Sequence, residues 1–329
     1  MNAFYNFLYK YLSPIFGYIM LFFFGIVTKF NGSYGVAIIL YTIFARLIMM
    51  PTTMSQQKGM AKQQRLAPKI RRIQEKYAGD QQKIQEETQN LYAREGYNPM
   101  SAGCLPLLIQ MPFIIGLFGV LYNPLRYAIG LDAATSENII SIFNKMIEAK
   151  VVNLGKSRAG IYTPLYVLQN FDAFKDYIAA KGIDVPAQAI SKIQAFLDAD
   201  CFKFFGLELG HVPNKSQFDR YWAIPILAGL TSLGSSFIMQ EQQKKTNPSA
   251  ANAPGQGCTM LMMPIMSVVF TFMLPSGIGV YWITSNIFAT LSSFAMKKIY
   301  SPQKNIAKLM IKESVERRSR ENSIKRISK

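Results

Sequence analysis

The sequence predicts an all-α, polytopic membrane protein with five core transmembrane helices and a basic helical hairpin on the cytoplasmic side. Three observations carry this. The 329-residue chain is 50% hydrophobic and only 17% charged, yet its formal net charge is +17. Its apolar residues fall into blocks free or nearly free of charge, at 34–53, 101–125, 221–240 and 258–296, each long enough for a crossing of about 20 residues, the last divided by Pro275-Ser276-Gly277. The Lys and Arg residues lie between the blocks, where they fix orientation.

Taken in order, residues 1–33 are expected to form an N-terminal helix that is interfacial or membrane-embedded. The apolar stretch 14–28 is short for a span, and an interfacial position is the preferred reading. With one lysine, Lys10, before the apolar core and no small-x-small site after it, a cleaved signal peptide is not expected. The first core span is placed at 34–53 and a cytoplasmic helical hairpin at 54–100. In the hairpin Met54, Met60, Leu66, Ile70 and Ile73 sit among Gln and Lys, a break falls near Ala78-Gly79-Asp80, and Ile84 and Leu91 follow. Gly96 and Pro99 mark its end. The apolar stripe is thin, so the arms must lean on each other or on a partner, unless the segment is simply a solvated connector.

The second core span is placed at 101–125 and an extracytoplasmic helical insertion at 126–219, with amphipathic stretches near 137–149, 164–181 and 187–199. The third span follows at 220–240, a cytoplasmic loop at 241–257, the fourth span at 258–275, the fifth at 276–298 and a basic tail at 299–329. Residues 54–98 hold nine Lys and Arg against five Asp and Glu, a net +4, and residues 297–329 hold eleven against three, a net +8. Residues 123–220 hold eleven against ten, a net +1. The two basic segments therefore face the cytoplasm and the long, nearly balanced one faces out, an alternation that five spans satisfy. The tail has the composition to bind polyanions, either RNA or anionic lipid headgroups, and the alternative reading of the same charge is a topology signal alone.

No cofactor or metal is expected. The single histidine, His211, has no ligand-type neighbours at metal spacing, and Cys104, Cys201 and Cys258 form neither a disulfide framework nor a zinc pattern. Free thiols are the expectation.

Arg46 is the one ionisable side chain within the five spans that is expected to lie at depth. An arginine at membrane depth costs at least about 2.5–3.5 kcal/mol by insertion scales, and such residues pair or face a wet cavity. No Asp or Glu occurs in any span, so water or a ligand bringing negative charge is the expected counterpart. Arg46 lies five residues before Pro51, about 7.5 Å by helical rise, on the cytoplasmic side. Snorkelling to the headgroups is the alternative to a cavity. The polar residues Thr42, Gln110, Ser232, Ser235 and Ser236, with Thr284, Ser285 and Asn286 beside Tyr281 and Trp282, point to the cavity. Singly, such hydroxyls bond their own backbone or a neighbouring helix.

Three stretches, YGVAIILYTIFARLIMMPTTMSQQKGMAKQQRLAPKI, NPMSAGCLPLLIQMPFIIGLF and LPSGIGVYWITSN, occur in the order found in the YidC insertases and their mitochondrial and chloroplast relatives, and with the third span they cover most of 34–122 and 220–300. The chain resembles that family. The resemblance implies five helices around a hydrophilic groove open to the cytoplasm and to lipid, in a bacterial plasma membrane. It places Arg46 at the groove arginine, Thr42 at a polar groove position and Trp282 at a substrate-contacting aromatic. Ser236 stands where relatives often carry Gln.

It further implies nascent membrane proteins as substrates, the ribosome and targeting machinery as partners of the hairpin and tail, anionic lipids, and work either alone or beside the Sec translocon. The outer segment is much longer than is usual for the family, and the N-terminus has neither a large periplasmic domain nor a lipoprotein-type signal. A solute transporter binding an anion at Arg46 is the main rival, but the spans show no inverted repeat or paired half-helices. An enzyme would need a base or metal ligand at depth, and no His, Asp or Glu lies in any span. No Walker sequence is present.

Overall fold

A computed structural model of the chain describes residues 2–30, 32–97, 105–152, 162–213, 218–246 and 256–299, together with scattered positions beyond 299. Side chains at both ends of several helices, and most of the basic tail, lie outside the described residues. The described residues are overwhelmingly helical, and their strands are limited to one two-stranded hairpin. They divide into two units, one of Met1–Ala45, Met111–Thr231 and Ile265–Ser285, the other of Arg46–Gln110, Ser232–Pro264 and Asn286–Lys329.

The first unit begins with α1 (Asn2–Thr28), which runs through Pro14 and so starts earlier than the apolar stretch 14–28 indicates. Phe16, Met20, Phe24 and Val27 make its buried face, while Tyr11, Ile15, Tyr18, Phe22 and Ile26 are exposed. Helix α2 (Tyr34–Ile48) and helix α5 (Leu105–Tyr122) pack on that buried face. The approach is close: a Cβ on Gly116 would lie 2.0 Å from the Phe16 ring.

Short helix α6 (Pro124–Tyr127) leads into the insertion, which contains α7 (Ala133–Glu148), α8 (Thr163–Gln169), α9 (Phe171–Lys181) and α10 (Ala187–Asp198). Asp132 caps α7 by accepting from the Thr135 N–H at 2.9 Å, and Gly182, at φ 60°, ends α9 in the left-handed conformation that glycine adopts without a Cβ clash. Ile139, Phe143, Met146, Phe174 and Ile193 are fully buried and give this segment a core continuous with the ends of α1 and α2.

The insertion is not purely helical. Strands β1 (Lys203–Phe204) and β2 (Leu207–Glu208) form an antiparallel hairpin. On either side of it the insertion's backbone meets the N-terminal ends of two apolar helices. The Tyr34 N–H, at the start of α2, donates to the Cys201 carbonyl at 2.8 Å. The N–H groups of Ser276 and Gly277, which open α13 (Ser276–Ile299), donate to the carbonyls of His211 at 2.8 Å and Leu209 at 2.9 Å. The Ser276 hydroxyl also donates to the His211 carbonyl, at 2.8 Å. Helix N-termini leave N–H groups without intrahelical partners, and here a distant loop supplies acceptors. Cys201 is a free thiol, and burial, reinforced by the Asp200 carboxylate, raises its pKa.

In the second unit, α3 (Met50–Lys76) and α4 (Gln81–Arg94) pack as an antiparallel pair. The chain turns at Gly79, φ 96°, and Asp80 caps α4 by accepting from the Lys83 N–H at 3.1 Å. Glu95 closes the open end, accepting from Arg65 at 3.5 Å and pairing with Lys69. Leu66 is buried, and the Tyr92 and Tyr97 rings stand 5.0 Å apart.

The first core span differs from the expectation. Helix does not run unbroken over 34–53: α2 ends at Ile48, Met49 is non-helical by hydrogen bonding, and α3 begins at Met50 with Pro51 in its first turn. Proline has no N–H and its ring clashes with the carbonyl four residues back, so a helix start, where Pro51 stands, suits it best, although Pro14, Pro68, Pro112 and Pro264 are carried inside helices.

The remaining apolar helices are α11 (Ala223–Thr246), preceded by the 3-10 turn Arg220–Trp222, and α12 (Gln256–Met273). Helix α11 extends past the expected end at 240. Among the described residues one helical run, Arg220–Gln242, is long and apolar enough by itself to cross a membrane, while Ser13–Thr28, Tyr34–Ile48, Pro112–Tyr122 and Pro264–Met273 are shorter apolar runs.

Candidate functional site

Arg46 is half-buried in the last turn of α2. Because the helix ends at Ile48 and not at Pro51, Arg46 sits about 3 Å by helical rise from the helix terminus, nearer than the count to Pro51 gives. A cation in the last turn is favoured by the exposed carbonyls there, typically by about 0.3–1 kcal/mol. One turn earlier Thr42 is fully buried, and its hydroxyl donates to the Ile38 carbonyl at 2.6 Å. That bond occupies the Thr42 proton and leaves its oxygen lone pairs as the available polar feature.

The structure brings part of the polar set together in the second unit. The Ser235 hydroxyl donates to the Asn286 carbonyl at 3.1 Å and lies 2.7 Å from the Thr290 hydroxyl. Thr290 itself donates to the same Asn286 carbonyl at 2.9 Å. Further along the same two helices the Gln242 amide donates to Ser293 at 3.5 Å. These contacts make a polar seam between α11 and α13. Ser232 is buried and Ser236 is half-buried on α11. Thr290 and Ser293 were not among the residues singled out from the sequence, although Thr290 stands one helical turn after Asn286, which is the spacing that could have found it.

Arg46, Ser232, Ser235, Ser236 and Asn286 belong to the second unit, and Thr42, Tyr281, Trp282 and Ser285 to the first. In the first unit Tyr281 and Ser285 are buried, and the half-buried Trp282 stacks on Phe270 with centroids 5.8 Å apart. Thr284 donates to the Val280 carbonyl at 2.8 Å, which returns its polarity to its own helix. Gln110 lies in α5, but its side chain is outside the described residues, as are the side chains of Cys104 and Cys258. Among the described residues no group of three His, Cys, Asp or Glu is placed to hold a metal.

Among the described residues the second unit holds a seam of hydroxyls around a main-chain carbonyl and the Arg46 guanidinium, and the first unit holds the Trp282–Phe270 stack. Such groups bind and orient polar chains by hydrogen bonding and charge.

Comparison with known proteins agrees with the residues. The family described as 60Kd inner membrane protein matches residues 26–304. The chloroplast inner membrane protein PPF-1 of Pisum sativum is 30% identical over 272 residues, which is 81% of this chain and 49% of that protein. The membrane protein insertase YidC of Wolinella succinogenes is 28% identical over 85% of this chain and 36% of its own length. The YidC insertase of Fusobacterium nucleatum is 26% identical over 91% of this chain and 99% of its own length. The chain thus spans about half of the pea protein, little over a third of the Wolinella one and nearly all of the Fusobacterium one. With a family match extending over most of its length, the chain belongs to the 60 kDa inner membrane protein family, that of the YidC-type insertases.

Proposed function

We propose that this chain is a membrane protein insertase of a bacterial plasma membrane, moving polar segments of nascent proteins through a hydrated groove and releasing their apolar helices into lipid. The observation that carries this reading is the match over 26–304 to a family whose relatives are named as insertases. Five core spans surround the groove. The hairpin and the basic tail face the cytoplasm, 126–219 faces out, and the N-terminal helix lies at the interface. Arg46, Thr42, Gln110, Ser232, Ser235, Ser236, Tyr281, Trp282, Ser285 and Asn286 line it.

The mechanism follows from electrostatics and burial. A wet groove in the inner leaflet shortens the apolar path that a polar tail must cross. Arg46 offers an acidic tail a counter-charge where the low dielectric strengthens attraction. Transient attraction suffices, because transfer of the substrate's apolar helix into lipid supplies roughly 25 cal/mol per Å² buried, and no nucleotide need be hydrolysed. The hairpin and tail receive the ribosome and targeting machinery, and anionic lipids neutralise the tail's surplus charge.

The test uses purified full-length chain in liposomes and a newly synthesised single-span protein with an acidic tail. Protease protection of the tail is expected to rise well above that in empty liposomes. Equal protection in both removes the insertase reading.

A further inference from the structure

The turn joining β1 to β2 places an aromatic residue where the backbone disfavours one. Phe205 and Gly206 have φ of 48° and 74°. Tight hairpin turns with two left-handed residues favour Asn, Asp or Gly at the first position, because a Cβ crowds the backbone there. Phe205 is 89% exposed, so burial within the chain does not offset the strain.

Its position is fixed by contacts. The Phe205 ring packs edge-on against Phe204 at 4.5 Å, and Phe204 lies so close to Gly35 that a Cβ there would meet the ring at 2.4 Å. The turn is therefore held at the N-terminal end of α2. Two other exposed aromatics stand beside helix ends that the proposed topology assigns to the same side of the membrane. Phe30, 81% exposed, follows α1 and precedes α2. Phe218, also 81% exposed, precedes α11 and contacts Trp222 at 5.2 Å, which meets Phe272 at the end of α12 at 4.8 Å. Beyond Trp222 the exposed apolar surface of α11 continues through Ile226, Leu227 and Leu230.

We propose that Phe205, with Phe30 and Phe218, seats the outer insertion in the outer leaflet, at the boundary between headgroups and acyl chains. Amphipathic aromatic rings, Trp and Tyr, are enriched at that depth, and an exposed Phe is likewise stabilised on leaving water for acyl chains. Lys203, paired with Asp200 at 2.7 Å, puts charged groups beside the turn at headgroup level. Lipid is favoured over a protein partner because Phe30 follows the exposed apolar side chains Tyr18, Phe22 and Ile26 of α1, Phe218 precedes those of α11, and the insertion is nearly charge-balanced. The inference rests on the outward placement of 126–219 proposed above.

The test uses the full chain with Cys104, Cys201 and Cys258 replaced by Ser and one new cysteine at a time: Phe205→Cys, Phe218→Cys, or Asp184→Cys as an exposed reference on the insertion. Each is labelled with an environment-sensitive fluorophore in liposomes containing nitroxide lipids. Labels at 205 and 218 are expected to lose emission to nitroxides near the top of the acyl chain, more than to nitroxides at the bilayer centre, while the label at 184 loses little. Sidedness is read separately, by an impermeant maleimide on intact cells bearing Asp184→Cys.

Outside labelling of 184 with no quenching at 205 and 218 overturns the lipid seat and leaves the topology standing. Labelling of 184 only after permeabilisation overturns the topology and the outer-leaflet seat with it. An apolar shift at 205 in native membranes without nitroxide quenching in liposomes identifies a protein partner and likewise overturns the proposal.

Discussion

Gly35→Ala tests how tightly the insertion is joined to the first core helix. An ideal Cβ at Gly35 falls 2.4 Å from Cγ, 2.5 Å from Cδ2 and 2.7 Å from Cβ of Phe204. Because the Phe204 Cβ is among the atoms met, rotating the ring cannot relieve the overlap, and strand β1 must retreat by about 1 Å to reach ordinary contact of about 3.5 Å. That movement stretches the bond from the Tyr34 N–H to the Cys201 carbonyl, 2.8 Å, and parts the Tyr34 and Phe202 rings, 5.4 Å between centroids. Overpacking of this kind costs about 1–3 kcal/mol, and a weakened buried hydrogen bond adds about 0.5–1.5 kcal/mol.

The better helix propensity of Ala returns at most about 1 kcal/mol, leaving a net loss of roughly 1–3 kcal/mol. Phe204→Ala removes the obstacle, so the double variant is expected to lose less than the sum of the single losses, with a coupling of about 1–3 kcal/mol. Thermal unfolding of the full chain in detergent, with hydrogen exchange at the Tyr34 amide, reads both quantities. Losses that add to within about 0.5 kcal/mol refute the close packing of the insertion on α2.

Other outcomes follow from the same contacts. Ser235→Ala and Thr290→Val are each expected to cost about 0.6 kcal/mol and no more than about 1.7 kcal/mol, and to couple in a double-mutant cycle; additive losses in thermal unfolding contradict the shared bond to Asn286. Glu95→Gln loosens the pairing of α3 with α4 by about 0.5–1 kcal/mol at low salt, since both ion pairs are partly exposed, and the difference in hairpin hydrogen exchange fades at high salt; salt-independent exchange contradicts the role given to Arg65 and Lys69. Asp132 has its carboxyl held below the ordinary range by hydrogen bonding with Thr135, so its stabilisation of α7 is present at neutral pH and is lost as pH falls through that lowered value. Amide exchange at Thr135 is expected to accelerate there in the wild type and to show no such step in Asp132→Asn.

Much of the helical architecture is legible because membrane helices announce themselves by composition: each charge-free block contains apolar helix, and the Pro275-Ser276-Gly277 break and the Gly79-Asp80 turn coincide with observed helix ends. The break at Met49 is less legible, since Leu47, Ile48, Met49 and Met50 continue the apolar run and Pro51 alone marks the boundary. The β-hairpin is shorter than the period-2 patterns that identify strands, and Phe205-Gly206 lacks the usual Asn or Asp signal. Least legible are the bonds from Ser276 and Gly277 to His211 and Leu209, which join residues far apart in sequence through main-chain atoms that carry no residue-type signal. In the candidate site, Ser235 and Asn286 could be named for their polarity in apolar helices, but their bonding to Thr290 depends on the facing of α11 and α13, which no single helix encodes.

The central claim is that Arg46 draws acidic chain segments into the membrane. It is tested in a bacterium depleted of its own insertase, by following insertion of a small Sec-independent protein whose translocated tail is either acidic or neutralised. With Arg46→Ala at equal membrane abundance, the account predicts failure for the acidic tail, a much smaller defect for the neutral tail, and partial recovery with Arg46→Lys. Insertion of the acidic-tailed protein by Arg46→Ala as well as by wild type contradicts it.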